Sequence, residues 1–238
     1  MIKDCENNII DISFGDNHIS KVYLGNSLVW EKTEQDYIQD GLFLHLDGAD
    51  CAGSTWVDKV SGKVLSLSGS VPSVVNGGVV FNGASVYYNT TVTLPTFSAA
   101  TIEVVAIHRV NDYTGRWIVG SNAGDQIWYT INTGGEQTSI RGASYTRRRS
   151  PRYNQLTTHS ITTSYNIINK VSKGNGSNDS WGYGYCFSVG GKITNSSFGR
   201  DKACKSTVYQ IRIYNRKLTQ AEILYNQSID IKKYNISV

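Results

Sequence analysis

Proline and methionine are almost missing from this chain, three and one among 238 residues, and alanine and leucine are few beside the glycine, serine, threonine, asparagine and tyrosine. Scarcity of strong helix formers excludes a helical bundle, and the residues present favour many short strands joined by polar turns. Long apolar runs are also missing. The start, MIKDCENNIID, lacks the apolar segment of a secretory signal, and no stretch approaches the length of a membrane span, so the expectation is synthesis in a cytoplasm. The cysteines Cys5, Cys51, Cys186 and Cys204 are widely scattered, with no CxxC or metal-ligand spacing. They read as free thiols; Cys186 and Cys204 would pair only if their strands were neighbours, and a domain of this size does not need the bridge. The sequons at Asn89, Asn175, Asn178, Asn195, Asn226 and Asn235 reflect a composition rich in Asn, Ser and Thr.

Net charge is a mild +4, with a pI near 8.8. Much of the excess lies in Arg147, Arg148, Arg149 and Arg152, with Arg141 nearby. This run suits a grip on phosphate or acidic sugar. It equally suits a solvated loop between two strands, or a loop meeting an acidic neighbour in an oligomer. No nucleic-acid reading module accompanies it, so nucleic acid is not an expected partner.

The most ordered signal is FGRDKACKSTVYQIRIYNRKLTQAEILYN, Phe198 to Asn226. Tyr209, Ile211 and Ile213 alternate with Gln210, Arg212 and Tyr214, the period of a strand with one face buried and one wet. The chain then turns at Asn215. Thr219 and Glu222 form a capping box for a short helix, and Leu218 and Ile223 stand where a hydrophobic staple closes.

This segment resembles the closing strand and helix of laminin-G-like and concanavalin A-like domains. Other landmarks follow the same order: GLFLHLD from Gly41 as an opening strand; Trp56, Asp58, Ser61 and Gly62 as W-x-D-x-x-S-G; Gly77 to Tyr88 as a G-x-x-F-x-G hairpin; and Phe97 to Arg109 as a long central strand. The resemblance covers about Asp40 to Asn226. It implies an all-β jelly-roll sandwich of two antiparallel sheets with one short C-terminal helix, and 238 residues suffice for one such core.

Residues 1–33 read as a separate β-hairpin element, 34–40 as a polar connector and 41–238 as the sandwich. Ile9 to Phe14, Ile19 to Leu24 and Leu28 to Glu31 imply three short strands, the last two joined across Gly25-Asn26. So small a unit cannot hold a core alone, so Ile19, Val22, Leu24 and Trp30 must rest on another surface. ISKVYLGNSLVWEK, Ile19 to Lys32, resembles a short N-terminal element of bacteriophage structural proteins. Together the two resemblances imply a non-catalytic virion surface protein, a tail or head fibre, adhesin or decoration protein. It would be assembled in the host cytoplasm without a signal peptide and would bind a host surface polysaccharide. Other virion proteins and further copies of the chain are the implied partners, the former through the hairpin and through Arg147, Arg148, Arg149 and Arg152. The alternative is a purely structural capsid or tail module.

An enzyme of this fold is the minor alternative. Glycoside hydrolysis ordinarily needs two carboxylates. Laminarinase-type relatives carry E-x-D-x-x-E on one strand, where this chain has Glu103 followed by Val104, Val105 and Ala106. The lyase pattern Gln-x-His fails at Gln126, Ile127 and Trp128. His18, His45, His108 and His159 are isolated singles, and no serine lies in a nucleophile elbow. For a sugar, aromatic faces and hydroxyl-binding groups are needed, and Trp181, Tyr183, Asp125, Gln126 and Trp128 supply that mixture. Nothing in the sequence requires a cofactor. The resemblance allows Ca2+ at one rim, with Asp47 and Asp50 as candidate ligands, although turn capping explains both as well.

Overall fold

The structure, a computed structural model, describes residues 2–5, 8–14, 17–19, 21–24, 27–31, 36–92, 100–109, 116–121, 129–132, 137–141, 145–148, 154–162, 165–172, 187–191 and 204–238. For those in 2–31, 116–117, 121 and 129–148 it describes the strand path alone. The chain divides into two compact units, Met1–Asp36 and Tyr37–Val238. The division falls inside the expected connector, and Tyr37 and Ile38 belong to the larger unit.

In the smaller unit, β1 (Ile2–Cys5), β2 (Asn8–Phe14) and β3 (Asn17–Ile19) form an antiparallel sheet, while β4 (Lys21–Leu24) and β5 (Ser27–Glu31) form a pair. Val22 stands opposite Trp30 and Leu24 opposite Ser27. The stretch Ile19 to Leu24 is not one strand: Ile19 ends β3, and Val22 and Leu24 lie on β4.

The larger unit opens with β6 (Leu42–Asp47), a 3-10 turn (Gly48–Asp50), β7 (Thr55–Val57), β8 (Val64–Gly69), β9 (Ser73–Val75), β10 (Gly78–Val80), β11 (Ser85–Asn89) and β12 (Thr101–His108). It continues with β13 (Arg116–Ser121), β14 (Tyr129–Asn132), β15 (Gln137–Arg141), β16 (Tyr145–Arg148), β17 (Leu156–Ile161), β18 (Asn166–Ile168), β19 (Val171–Ser172), β20 (Phe187–Val189) and β21 (Ser206–Tyr214), and closes with α1 (Gln220–Tyr234). One sheet has the order β19-β18-β17-β12-β21-β10-β9, with β6 also pairing with β21; the other runs β16-β15-β14-β13-β20-β11-β8-β7. Leu44, Leu46, Ile102, Val104, Ala106, Val208, Ile211 and Ile213 of the first sheet share one apolar core with Trp56, Leu65, Tyr87, Ile118, Val119, Phe187 and Val189 of the second. Each large side chain so buried stabilises by roughly 1.5–3 kcal/mol.

Gly77 to Tyr88 is not a hairpin. β10 belongs to the first sheet and β11 to the second, so this stretch is a corner. Phe81 explains it: at a hairpin tip its ring would be wet, whereas here it is buried edge-on to Tyr87. The bend uses Asn82, whose Oδ1 accepts the Ala84 N–H, and Gly83 at φ +89°. Gly190 lies under the same ring, where a Cβ would stand 2.2 Å from Phe81. The W-x-D-x-x-S-G stretch is a local knot. Trp56 Nε1 donates to the Asp47 carbonyl at 2.7 Å, and the Asp58 carboxylate accepts from the backbone N–H groups of His45, Val60 and Ser61 and from the Ser61 hydroxyl.

Two features of the closing segment differ from its alternation pattern. Between Val105 opposite Gln210 and Ala106 opposite Val208, Tyr209 is an extra residue, a β-bulge. Val208 therefore takes the core position, and Tyr209 packs on Tyr234 of α1, ring centroids 5.2 Å apart. Gln210, Arg212 and Tyr214, on the side expected to be wet, are buried. The cover is α1, which at 15 residues is longer than the short helix expected. Its start is as expected: Thr219 and Glu222 form the capping box, and Leu218 packs with Ile223. Its length was hidden because the face it buries beyond Ile223 carries Asn226, Gln227 and Asp230 as well as Ile229, which leaves no clean apolar stripe.

Candidate functional site

The space between α1 and the outer face of the first sheet is filled by a polar layer. Arg212 is fully buried. Its Nη1 and Nη2 donate to Asp230 at 3.0 and 2.7 Å, and its Nε donates to Glu103 at 2.9 Å. The bidentate fork with Asp230 is the strong, planar kind of ion pair. The Tyr37 ring lies 3.8 Å from the guanidinium carbon, and the Tyr37 hydroxyl donates to Asp230 at 2.9 Å. Glu103 accepts further from Ser160 and from Asn226, each at 2.9 Å. Gln227 donates to the Ser160 hydroxyl and the Ile167 carbonyl.

One guanidinium thus serves two carboxylates. Burial alone would lower Arg212, and Asp230 and Glu103 more than reverse this, so the cation is held well above its ordinary value. Glu103 has the weaker share, a single N–H, and desolvation pushes its carboxyl up. Burial pushes three histidines down: His45 to about 4, helped by Arg212; His108 to about 3, helped by His159; and His159 to about 4. Glu103 is thus buried, with its carboxylate enclosed by Arg212, Ser160 and Asn226.

At the edge of this layer, Asp47 caps the 3-10 turn through the Ala49 N–H and accepts from Gln210 at 3.1 Å and Lys233 at 2.8 Å. Lys59 bridges Asp47 at 3.8 Å and Asp50 at 3.1 Å. Burial raises the Asp47 carboxyl, but Lys233, the Ala49 N–H and Lys59 outweigh it and hold it below the ordinary carboxylate value. Both carboxylates are thus paired with lysine ammonium groups. Among the described residues no group of three or more His, Cys, Asp or Glu converges as a metal site, and no helix is long and apolar enough to cross a membrane.

Of the sugar candidates, Trp181, Tyr183, Asp125, Gln126 and Trp128 lie outside the described residues. Arg147 and Arg148 are not in a loop: they lie on β16, the edge strand of the second sheet, opposite Ser139 and Thr138. Arg149 and Arg152 lie outside the described residues. Cys51 and Cys204 are buried, and Cys186 lies outside the described residues. Sequence reasoning missed the layer itself. Its signal was the charge at Glu103, which stands in a strand whose residues are otherwise almost all apolar.

No family profile matches the chain, and no curated protein matches it in sequence. Its likeness is to solved structures. Domain 4 of AbnA, a GH43 extracellular arabinanase from Geobacillus stearothermophilus, in complex with arabinotriose, aligns over 77% of this chain and 97% of its own length, at 15% identity and TM-score 0.57. The fold is a concanavalin A-like jelly-roll sandwich. The binding domain of botulinum neurotoxin DC in complex with SialylT aligns over 80% of this chain and 51% of its own, at 11% identity and TM-score 0.54. Trypanosoma rangeli sialidase aligns at 15% identity and TM-score 0.55, over 79% of this chain. The jelly roll spans only about a third of that sialidase, 32%.

Proposed function

We propose that this protein is a non-catalytic virion surface protein of a bacteriophage, whose jelly roll binds a glycan of the host surface. The observation that carries the sugar half is the shared architecture with the arabinanase domain, which is nearly its whole length and was solved with arabinotriose. The toxin binding domain, solved with SialylT, supports the same reading. The sealing of Glu103 beneath α1 supports binding over hydrolysis, because a general acid must reach the glycosidic oxygen. The virion half rests on the likeness of Ile19 to Lys32 to phage N-terminal elements. Binding of the purified protein to an array of bacterial surface polysaccharides tests the first half. Saturable binding lost in Trp181→Ala is the expected result, and an array blank at every glycan would overturn it. Release of reducing ends from a bound polysaccharide would overturn the non-catalytic assignment.

The second reading is a structural module that contacts other virion proteins. Division of the chain into a small N-terminal unit and a sandwich favours it, since five short strands hold little core of their own. Burial of Trp181 and of the Arg147 to Arg152 segment at a protein interface in the assembled particle would decide for it.

A further inference from the structure

A groove of about 290 Å³ opens beyond the C-terminal end of α1, lined by Gln155, Leu156, Asn169, Asn235, Ile236 and Ser237. Ile236 is buried and Leu156 half-buried, so the groove has an aliphatic floor. Asn169 locks its walls together: Oδ1 accepts the Thr158 N–H at 3.0 Å, and Nδ2 donates to the Ser237 carbonyl at 3.2 Å. Lys170 N–H is tied to Gln227 Oε1 at 2.6 Å, which fastens the β18–β19 turn to the helix. The side chains of Gln155, Asn235 and Ser237, by contrast, have no hydrogen-bond partner among the described residues and are exposed. No lining residue carries a charge.

Backbone conformation concentrates at the same place. Five non-glycine residues among those described have left-handed backbone, and four of them line or adjoin this groove: Asn154 (φ 56°), Asn169 (φ 47°), Lys170 (φ 63°) and Asn235 (φ 50°). Asparagine tolerates that region, and lysine does not. Lys170 is thus the one costly left-handed residue beside the groove.

We infer that this groove is a binding subsite for a neutral saccharide unit. Two amides and a hydroxyl supply donors and acceptors for sugar hydroxyls, and Leu156 and Ile236 supply an apolar surface for the C–H face. The volume is at the lower end for ligand pockets and suits one sugar ring. The absence of charge disfavours phosphate, carboxylate or metal. This deepens the glycan-binding reading by adding a position remote in sequence from Trp181 and Trp128, and it rests on that reading for the class of ligand.

The test uses the full chain, labelled with nitrogen-15, titrated at millimolar concentration with methyl glycosides of glucose, galactose, mannose and N-acetylglucosamine. The expected result is a saturable shift of the Gln155 and Asn235 side-chain amides with at least one sugar. Gln155→Ala and Asn235→Gly should each weaken that sugar by about fivefold, the loss of one net hydrogen bond. The glycine variant keeps the left-handed cap, so folding is preserved. Shifts confined to other residues, unchanged affinity in both variants, or no shift with any of the four sugars would each overturn the subsite. Array binding that Trp181→Ala abolishes and Gln155→Ala with Asn235→Gly leaves intact would overturn the subsite and keep the host-glycan reading. Groove shifts alongside a blank polysaccharide array would keep the subsite and remove the host-glycan reading.

Discussion

The two faces of the sheet containing β21 are built from one alternating strand yet solve different problems. Toward the second sheet, Val208, Ile211 and Ile213 bury beside Leu46 and Val104 in a dry interior. Toward α1, Gln210, Arg212 and Tyr214 bury against Glu103, Asn226 and Asp230. The apolar face gains by leaving water and tolerates volume-conserving change. Each member of the polar face is instead stabilised only by its partners, so the layer fails when one is removed. The lesson is that burial and hydrophobicity are separable here: beside the apolar cluster of Ile167, Tyr214, Leu218 and Ile223, α1 meets the sheet through hydrogen bonds and one shared cation.

The largest effect should come from breaking the polar face. Arg212→Ala strands two buried carboxylates and should cost about 3–5 kcal/mol in urea unfolding. On the dry face, Leu46→Ala should cost about 2–5 kcal/mol from lost transfer and a cavity. What separates the faces is coupling: adding Glu103→Gln to Arg212→Ala removes one of the two stranded charges and should recover part of the stability, and no second change of that kind repairs Leu46→Ala. If Arg212→Ala alone lost under about 1 kcal/mol, the charge layer would not be what holds α1.

Acid should act on both faces through histidine. His108 and His159 are on or beside the dry face, and His45 is in the polar layer, its ring edge-on to Tyr37. All three have folded values below the unfolded value of 6.5, near 3, 4 and 4. The unfolded chain therefore takes up protons first. The stability these residues contribute is complete above about pH 6.5 and is lost as pH falls toward 4, with a slope of up to about 1.4 kcal/mol per pH unit for each residue. Thermal melts from pH 7 to 4.5 should show this fall, and His159→Gln should flatten it. Glu222 acts lower: the Arg216 fork holds it at about 2, so its contribution is lost only between about 4.5 and 2, and Glu222→Gln should leave the melts above pH 5 unchanged in slope.

Smaller effects test the ends of the helix that separates the two environments. Thr219→Ala removes the acceptor for the Glu222 N–H and should cost about 1 kcal/mol. Lys170→Gly relieves a left-handed lysine, while the added freedom of the unfolded chain offsets part of the gain, so stability should rise by roughly 0.5 kcal/mol or less.

Much of the jelly roll was legible because its signals are local. The capping box at Thr219 and Glu222, the staple of Leu218 with Ile223, and the alternation of Ile211 and Ile213 each depend on residues within a few positions. The bulge at Tyr209 was not legible, since only pairing with β12 reveals an extra residue. Nor was the corner at Phe81, because a turn between two sheets and a turn within one use the same Asn and Gly. The polar layer was misread as a wet face for a similar reason: a buried arginine and an exposed one look alike until their partners are known.

By itself, then, the sequence determined an all-β sandwich with a capped closing helix, through composition, strand period and short-range hydrogen-bonding motifs. Tertiary structure alone decided where water is excluded. Arg212 reaches Glu103 across 109 residues and Asp230 across 18, and Gln155, Asn169 and Asn235 converge from beside the ends of three separate elements. Solvent exclusion and the geometry of partners depend on which distant elements pack together, and that information is not local in the chain.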